Sequence, residues 1–269
     1  MIIVILGCGV VGAQAGAILA AGGHAVLGVR RRAFSHGREP FTLMSGDASD
    51  PSLYVALAAA YPRIDAVLLT ANPGLRRGRD NGLAAAVGLV HRQVPGCRLV
   101  YTGTTAVYGD AGAGGVDEHG PLRAGDPAVR GLLAIEAAVA AHASSLVLRA
   151  PALVGPTRTH ALERLREAAR QGSPCQVPGD LDRPFSYLHE RDLAELCALA
   201  ALGALGDGVL NAAAPERLTA GDYYRQIARR GGVECPLVGD HAPLPRRWID
   251  AGRLHRLLPG RRWRGIDDG

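Results

Sequence analysis

The hexapeptide Gly7-Cys8-Gly9-Val10-Val11-Gly12 constrains this chain more than any other feature. It has the spacing G-x-G-x-x-G, follows the apolar run Ile2–Leu6 without a break, and opens a segment, Val10–Ala21, that reads as a helix. Alone such a spacing says little; between a strand and a helix it specifies a turn built to meet a phosphate. Gly7 permits the tight turn, Gly9 lets the backbone approach a pyrophosphate, and Gly12 lets helix and strand pack closely. The helix start then offers unpaired N–H groups and the positive end of its dipole to the anion. The competing reading is a glycine turn without a ligand.

The pattern then alternates. Strands are expected at Ala25–Val29, Ala66–Leu69, Arg98–Thr102 and Ser145–Leu148, and helices at Leu53–Ala60, Leu83–Val94 and Leu132–His142. Strand–helix–strand alternation implies a parallel sheet with helices on both faces. The fold class expected is therefore α/β, a Rossmann-type doubly wound sheet. After about residue 150 the pattern loosens, with helices expected at Ala161–Arg170, Asp192–Leu202 and Thr219–Arg230 between Pro and Gly residues. Residues 1–150 read as the nucleotide-binding domain and 151–269 as a smaller substrate lobe, partly interleaved with it. Hydrophobic residues make up 48% of the chain but aromatics only 4%, so Ala, Leu and Val must fill the core.

The end of the second strand bears on cofactor choice. Sites that prefer NAD carry an acid there, about 20 residues past the loop, for the ribose 2′-hydroxyl. This chain has Gly28-Val29-Arg30-Arg31-Arg32 instead. Guanidinium groups pair with a 2′-phosphate that a carboxylate would repel. Arg30 and Arg31 thus point to NADP(H), a solvated arginine run being the other reading.

Several function classes are excluded or disfavoured. The 30 basic residues are all Arg, so no side-chain Schiff base can form and no phosphate-binding Lys exists. Five cysteines without a C-x-x-C pair are neither a disulfide framework nor a zinc site, and no metal is expected. Reduced thiols suit the cytoplasm. The opening apolar run is too short to span a membrane, and a strand starting at residue 2 argues against a cleaved signal. The formal charge of +5 is scattered, with no nucleic-acid motif, so no nucleic-acid partner is expected.

Further segments resemble the short-chain dehydrogenases/reductases, in particular the extended and atypical members that include NAD-dependent epimerase/dehydratase-like proteins. Gly46-Asp47-Ala48-Ser49-Asp50 is similar to the family segment whose first Asp contacts the adenine. Asp65-Ala66-Val67-Leu68-Leu69-Thr70-Ala71-Asn72 resembles the strand and turn beneath the cofactor. Tyr101-Thr102-Gly103-Thr104-Thr105-Ala106-Val107-Tyr108-Gly109-Asp110 resembles the strand that ends in the active-site hydroxyl. Leu148-Arg149-Ala150-Pro151-Ala152-Leu153-Val154-Gly155-Pro156 resembles the loop near the nicotinamide, with Val154 in place of Tyr. Phe185-Ser186-Tyr187-Leu188-His189-Glu190-Arg191-Asp192-Leu193-Ala194 resembles "F-x-x-I-H-x-x-D-L-A". The G-x-G-x-x-G spacing points to the atypical branch. The resemblance implies cofactor contacts at Asp47, Ala48, Thr70, Ala71, Asn72, Thr102 and Val154, and a substrate hydrogen bond from Thr104. A strand-end Thr that satisfies the backbone is the alternative for Thr104. The resemblance also implies a homodimer formed through two helices on the sheet face, which the apolar helices here permit.

The family's Tyr-x-x-x-Lys motif is missing. With Glu136 aligned to the usual glutamate, Ala128 replaces Tyr and Leu132 replaces Lys. Loss of a positioned general acid costs about 10²–10⁴ in rate. Tyr108, Tyr187, Glu136 and His189 are the substitute proton donors to consider, although His189 also reads as a structural histidine. Arg130 and Arg158 could hold an acidic group or lie exposed. The expected activity is an NADPH-dependent reduction of a small carbonyl or imine compound with a non-standard proton donor. The alternative is a non-catalytic NADP-binding sensor or regulator.

Overall fold

The computed structural model of the chain describes residues 1–32, 39–112 and 114–268. The elements run β1 (Ile2–Leu6), α1 (Val10–Ala21), β2 (Ala25–Arg30), β3 (Thr42–Ser45), α2 (Pro51–Ala60), β4 (Ala66–Leu69), α3 (Leu83–Gln93) and β5 (Arg98–Thr104). There follow β6 (Gly115–Val116), α4 (Pro127–Ala140), β7 (Ser145–Ala150), β8 (Ala152–Val154), α5 (His160–Arg170), β9 (Cys175–Val177), β10 (Pro184–Phe185) and β11 (Tyr187–His189). The last are α6 (Glu190–Ala201), β12 (Gly208–Asn211), β13 (Leu218–Thr219), α7 (Ala220–Gly231), β14 (Leu237–Gly239), β15 (Trp248–Ile249) and α8 (Gly252–Leu257). They form two compact units, each assembled from three stretches of chain.

The first unit comprises residues 1–107, 123–149 and 193–210. Its centre is a seven-stranded sheet in the order β12-β7-β5-β4-β1-β2-β3, the doubly wound arrangement expected. β1 pairs in parallel with β2 on one side and β4 on the other, Val4 lying opposite both Leu27 and Val67. Helices on both faces explain why β1 and β4 are continuous apolar runs rather than alternating ones. Val4, Leu6, Val67, Leu69, Leu99 and Val147 from the strands join Leu53, Val87, Val90, Ile135 and Val139 from the helices in one core.

Three elements of this sheet and its helices depart most from the sequence reading, one of them β12, since no strand was expected at Gly208–Asn211. α4 begins at Pro127, five positions before Leu132, because Asp126 caps it: its carboxylate accepts the Ala128 N–H at 2.9 Å, and Pro127 fills the first helical position. Gly131 sits inside this helix without breaking it, in a place where a Cβ would lie 2.7 Å from Leu75 Cδ1. β3 was not expected at all; it is a four-residue edge strand parallel to β2.

The second unit comprises residues 108–122, 150–192 and 211–269. Its core joins Leu165 of α5, Val177 of β9, Tyr187 of β11, Tyr223 and Tyr224 of α7, and Ile266. Phe185 stacks on Tyr223 with ring centroids 4.3 Å apart. α7 opens with a capping box between Thr219 and Asp222. The fully buried Asn211 knits distant stretches: its Nδ2 donates to the carbonyls of Val116 and Asp250 at 3.2 and 2.9 Å. The buried Asp192 carboxylate accepts the Arg264 N–H at 2.9 Å and the guanidinium groups of Arg261 and Arg264, which fastens the stretch leading to Ile266. All five cysteines are free thiols, and four are buried. Among the described residues, no helix is long and apolar enough to cross a membrane.

Candidate functional site

The glycine loop after β1 owes its shape to backbone sterics. Gly7 has φ +82°, and a Cβ there would lie 2.4 Å from Ala71 Cβ, so the residue can only be glycine. The N–H groups of Gly7 and Cys8 both donate to the Val29 carbonyl at 2.9 Å, stitching the loop to the end of β2. Thr70 Oγ1 donates to the Gly7 carbonyl at 3.0 Å. A Cβ on Gly12 would meet Thr70 Oγ1 at 2.7 Å and Ile5 Cγ2 at 3.0 Å, which fixes how closely α1 approaches β1 and β4.

Gly9 differs from both. Its φ of −88° suits any residue, and the nearest atom to a Cβ built there is the Gly7 carbonyl oxygen, 3.9 Å away. The backbone is thus bare on that side for reasons that lie outside packing. Beside it the first-turn N–H groups of α1, on Val10, Val11 and Gly12, have no carbonyl within the helix to bond. Val10 is 39% exposed at this end. A bare backbone beside free donors at a helix start fits a pyrophosphate.

The remaining cofactor candidates gather at the carboxyl ends of neighbouring strands. Arg30 is half-buried at the end of β2, and Arg31 follows it, exposed. The Arg30 carbonyl accepts the Gly46 N–H at 3.1 Å, and the Arg31 carbonyl accepts Ser45 Oγ at 3.2 Å, so the ends of β2 and β3 are held together. Just beyond, the Asp47 carboxylate accepts the Ser49 N–H at 2.9 Å and its hydroxyl at 2.7 Å. These bonds, helped by the Arg31 charge, hold Asp47 below the usual carboxylate range. The Ala48 carbonyl accepts Tyr54 Oη at 3.0 Å. Asn72 Oδ1 caps the next turn through the Gly74 N–H at 2.8 Å, and Thr102 Oγ1 donates to the Leu69 carbonyl at 3.3 Å. The centre of this row is the β4–β1–β2 junction, where the strand order reverses and open α/β sheets bind ligands. Cys8 is fully buried in the loop, and burial pushes its thiol up to about 11.

The candidate catalytic residues divide between the units. Thr104 is the last residue of β5, half-buried, and its Oγ1 accepts the Ala106 N–H at 3.1 Å. That bond uses a lone pair and leaves the hydroxyl proton to donate. Glu136, also in the first unit, is 6% exposed and paired with the equally buried Arg149, whose Nη2 lies 2.7 Å away. Arg149 Nε approaches both carboxylate oxygens, at 3.1 and 3.2 Å. At the positions of the missing motif, Ala128 is half-buried and Leu132 buried on α4.

In the second unit, Tyr108 is wholly buried and its Oη donates to Asn211 Oδ1 at 2.7 Å. His189 is also buried; its Nδ1 accepts the Arg191 N–H at 3.1 Å, which leaves Nε2 to donate to the Asp268 carbonyl at 2.9 Å. Val154 is 2% exposed at the end of β8. Arg130 Nη1 donates to the carbonyls of Ala124 and Gly125 at 3.3 and 3.0 Å, whereas Arg158 pairs with the buried Glu190. Sequence reasoning missed Asn211, Glu190 and the Arg149 partner of Glu136. The one available cue was polar residues embedded in otherwise apolar segments, as at Leu210-Asn211-Ala212 and Leu148-Arg149-Ala150.

These bonds predict the behaviour of one variant. Tyr108→Phe leaves Asn211 Oδ1 buried without its donor and should lower stability by about 1–3 kcal/mol. Urea unfolding measures the loss. The turnover per folded molecule should not change, and a selective loss of turnover would return Tyr108 to the list of proton donors.

Comparison with known proteins places these features. Residues 3–213 match the model of the NAD dependent epimerase/dehydratase family. The fold is similar to that of UDP-glucose 4-epimerase from Brucella ovis, solved in complex with NAD, at a TM-score of 0.80 and 18% identity over 99% of this chain and 94% of that one. It is similar to the Bordetella bronchiseptica enzyme WbmH in complex with NAD+, at 0.78 and 19% identity over 99% and 94% of the two chains. It is also similar to UDP-glucuronic acid 4-epimerase from Bacillus cereus in complex with NAD, at 0.76 and 18% identity over 100% and 96%. No curated protein matches the chain.

Proposed function

The chain belongs to the NAD-dependent epimerase/dehydratase family, and from that premise we propose that it is an NADP(H)-dependent oxidoreductase that reduces a small carbonyl or imine compound. The observation that carries this reading is the glycine loop: a bare Gly9 beside free helix donors, at the junction where the strand order reverses. The similar structures, two of them epimerases, were solved in complex with NAD, which supports a nicotinamide dinucleotide. The 2′-phosphate is assigned to Arg30 and Arg31, since no acid stands at the end of β2. Asp47, Ala48, Thr70, Ala71, Asn72, Thr102 and Val154 complete the proposed cofactor contacts. When bound, the reduced nicotinamide supplies two electrons and a hydrogen to the substrate.

The chain's own part is binding and orientation. Thr104 keeps a proton with which to hold the acceptor atom of the substrate. Tyr108 and Glu136 are each committed to a buried partner, His189 is hydrogen-bonded through both ring nitrogens, and we assign all three structural roles. The same commitments, with Ala128 and Leu132 at the motif positions, favour the second reading, an NADP-binding regulator that does no chemistry. Free thiols fit a cytosolic protein, and a homodimer formed through two helices on the sheet face belongs to the same family-based reading.

Fluorescence titration with NADPH and NADH tests the cofactor assignment. Arg30→Asp combined with Arg31→Asp should weaken NADPH binding by at least about ten-fold, since each ion-paired hydrogen bond contributes roughly 1.5–3 kcal/mol, while NADH binding holds or improves. Equal effects on both cofactors would remove the 2′-phosphate assignment. Steady NADPH oxidation with a carbonyl and imine panel supports the reductase. Tight binding without turnover supports the regulator.

A further inference from the structure

Arg158 follows β8 in a loop whose shape is set by one acid. Glu190, the first residue of α6, has no exposed surface, yet it sits opposite a short stretch of loop. One carboxylate oxygen accepts the Thr157 N–H at 3.1 Å. The other accepts the Thr157 hydroxyl and, at 3.0 Å, Arg158 Nε. The approach is possible because residue 155 is glycine: at φ +135° a Cβ there would lie 2.8 Å from Glu190 Cγ. Burying a charge is unfavourable unless it is paired and hydrogen-bonded, and here every donor that repays Glu190 comes from the two residues Thr157 and Arg158.

The result is an arginine fixed by one edge. The Arg158 side chain is 36% exposed, and no acceptor among the described residues takes the hydrogens of its Nη1 or Nη2. A guanidinium has two hydrogen-bonding edges; Nε serves Glu190, and the Nη1/Nη2 edge remains as a planar fork. Three other arginines of this unit are consumed by carboxylates. Arg246 grips Asp182 with both Nη groups at 3.0 Å, and Arg261 and Arg264 are spent on Asp192. Arg130, in the first unit, closes the turn before α4.

We infer that Arg158 is a carboxylate anchor, and that the compound this protein takes carries a carboxylate group. Glu190 is the positioning residue that sets the fork. The inference deepens the proposed function and rests on it only for the carbonyl or imine part of the substrate; the carboxylate preference is a property of the loop. Preorganisation matters because a free surface arginine must surrender rotamer entropy to bind, whereas this one is already held.

The test compares 2-oxo acids (pyruvate, 2-oxobutyrate and phenylpyruvate) with their primary amides by ligand-observed NMR on the NADP⁺-saturated protein. The acids should bind at least about ten-fold more tightly than the amides, the scale of one charge-assisted hydrogen-bonded pair. Arg158→Gln should abolish that preference, and Glu190→Gln should reduce it. Thermal unfolding and NADPH titration of each variant report separately on folding and on the cofactor site. If Glu190→Gln does not fold, Arg158→Gln alone decides. No preference for acids in the wild type, or a preference that survives Arg158→Gln, overturns the inference. Loss of NADPH binding by the wild type would instead overturn the oxidoreductase reading, and running the acid and amide comparison without cofactor then decides the anchor by itself.

Discussion

Glu136→Ala is expected to destabilise the protein by about 3–5 kcal/mol, the range for breaking a buried ion pair and stranding its partner. The pair joins α4 to β7, both members are 6% exposed, and Arg149 has three short approaches to the carboxylate. Removing the acid leaves a guanidinium in a sheet core where water cannot replace it. The double variant Glu136→Leu, Arg149→Met separates mechanism from packing. Buried ion pairs are often replaceable by apolar groups of similar volume, so the double variant should recover most of the loss. Equilibrium urea denaturation followed by circular dichroism measures all three proteins. If Glu136→Ala unfolds at the wild-type midpoint, the pair is not the lock between α4 and β7 described above. If it folds normally but loses turnover, Glu136 is a proton carrier after all.

Gly9→Val should leave the fold intact and weaken dinucleotide binding by about a hundred-fold or more, because interactions worth roughly 3 kcal/mol correspond to that factor. The reasoning depends on the contrast between two glycines in one loop. At Gly7 the positive φ and the 2.4 Å approach to Ala71 make any side chain a folding defect. At Gly9 the backbone is already in a region open to every residue, and the space beside it is empty to 3.9 Å. A Cβ there meets no protein atom closer than 3.9 Å, and a valine adds its bulk beside the helix donors. Thermal unfolding should therefore be unchanged while NADPH titration loses its response. A variant that binds NADPH as the wild type does would mean the phosphates are held elsewhere, and the whole cofactor assignment would have to move.

The parts of this molecule that the sequence reveals are the local ones. β1, α1 and β4 have the bounds expected because unbroken apolar runs beside glycine turns admit one arrangement. The grouping of Gly7, Arg30, Asp47 and Thr70 follows from those strands, since a doubly wound sheet brings the residues after its strands to one edge. β3 escaped notice because four residues, none fully buried, carry no periodic pattern. The early start of α4 was legible in Asp126-Pro127, a capping acid followed by a first-position proline. The proton-donor candidates could not be resolved locally. Whether Tyr108 and His189 are reactive depends on partners 103 and 79 positions away, which no spacing rule connects. Glu136 finds its partner only when α4 is laid against β7.

The interleaving of the two units has a consequence for biosynthesis. A chain emerging from the ribosome cannot finish the first unit in order, because the sheet waits for β12 at Gly208–Asn211 after a long stretch devoted to the second. The second unit in turn waits for Ile266, which enters its core only after the other members of that core have been made. Residues 108–122 close on themselves through the Tyr108–Leu122 bridge but must wait for Asn211 and Asp250. Neither unit can be harvested as an independent fragment, and a nascent chain stalled near residue 200 would expose an open sheet edge, the kind of surface that recruits chaperones or other copies of itself.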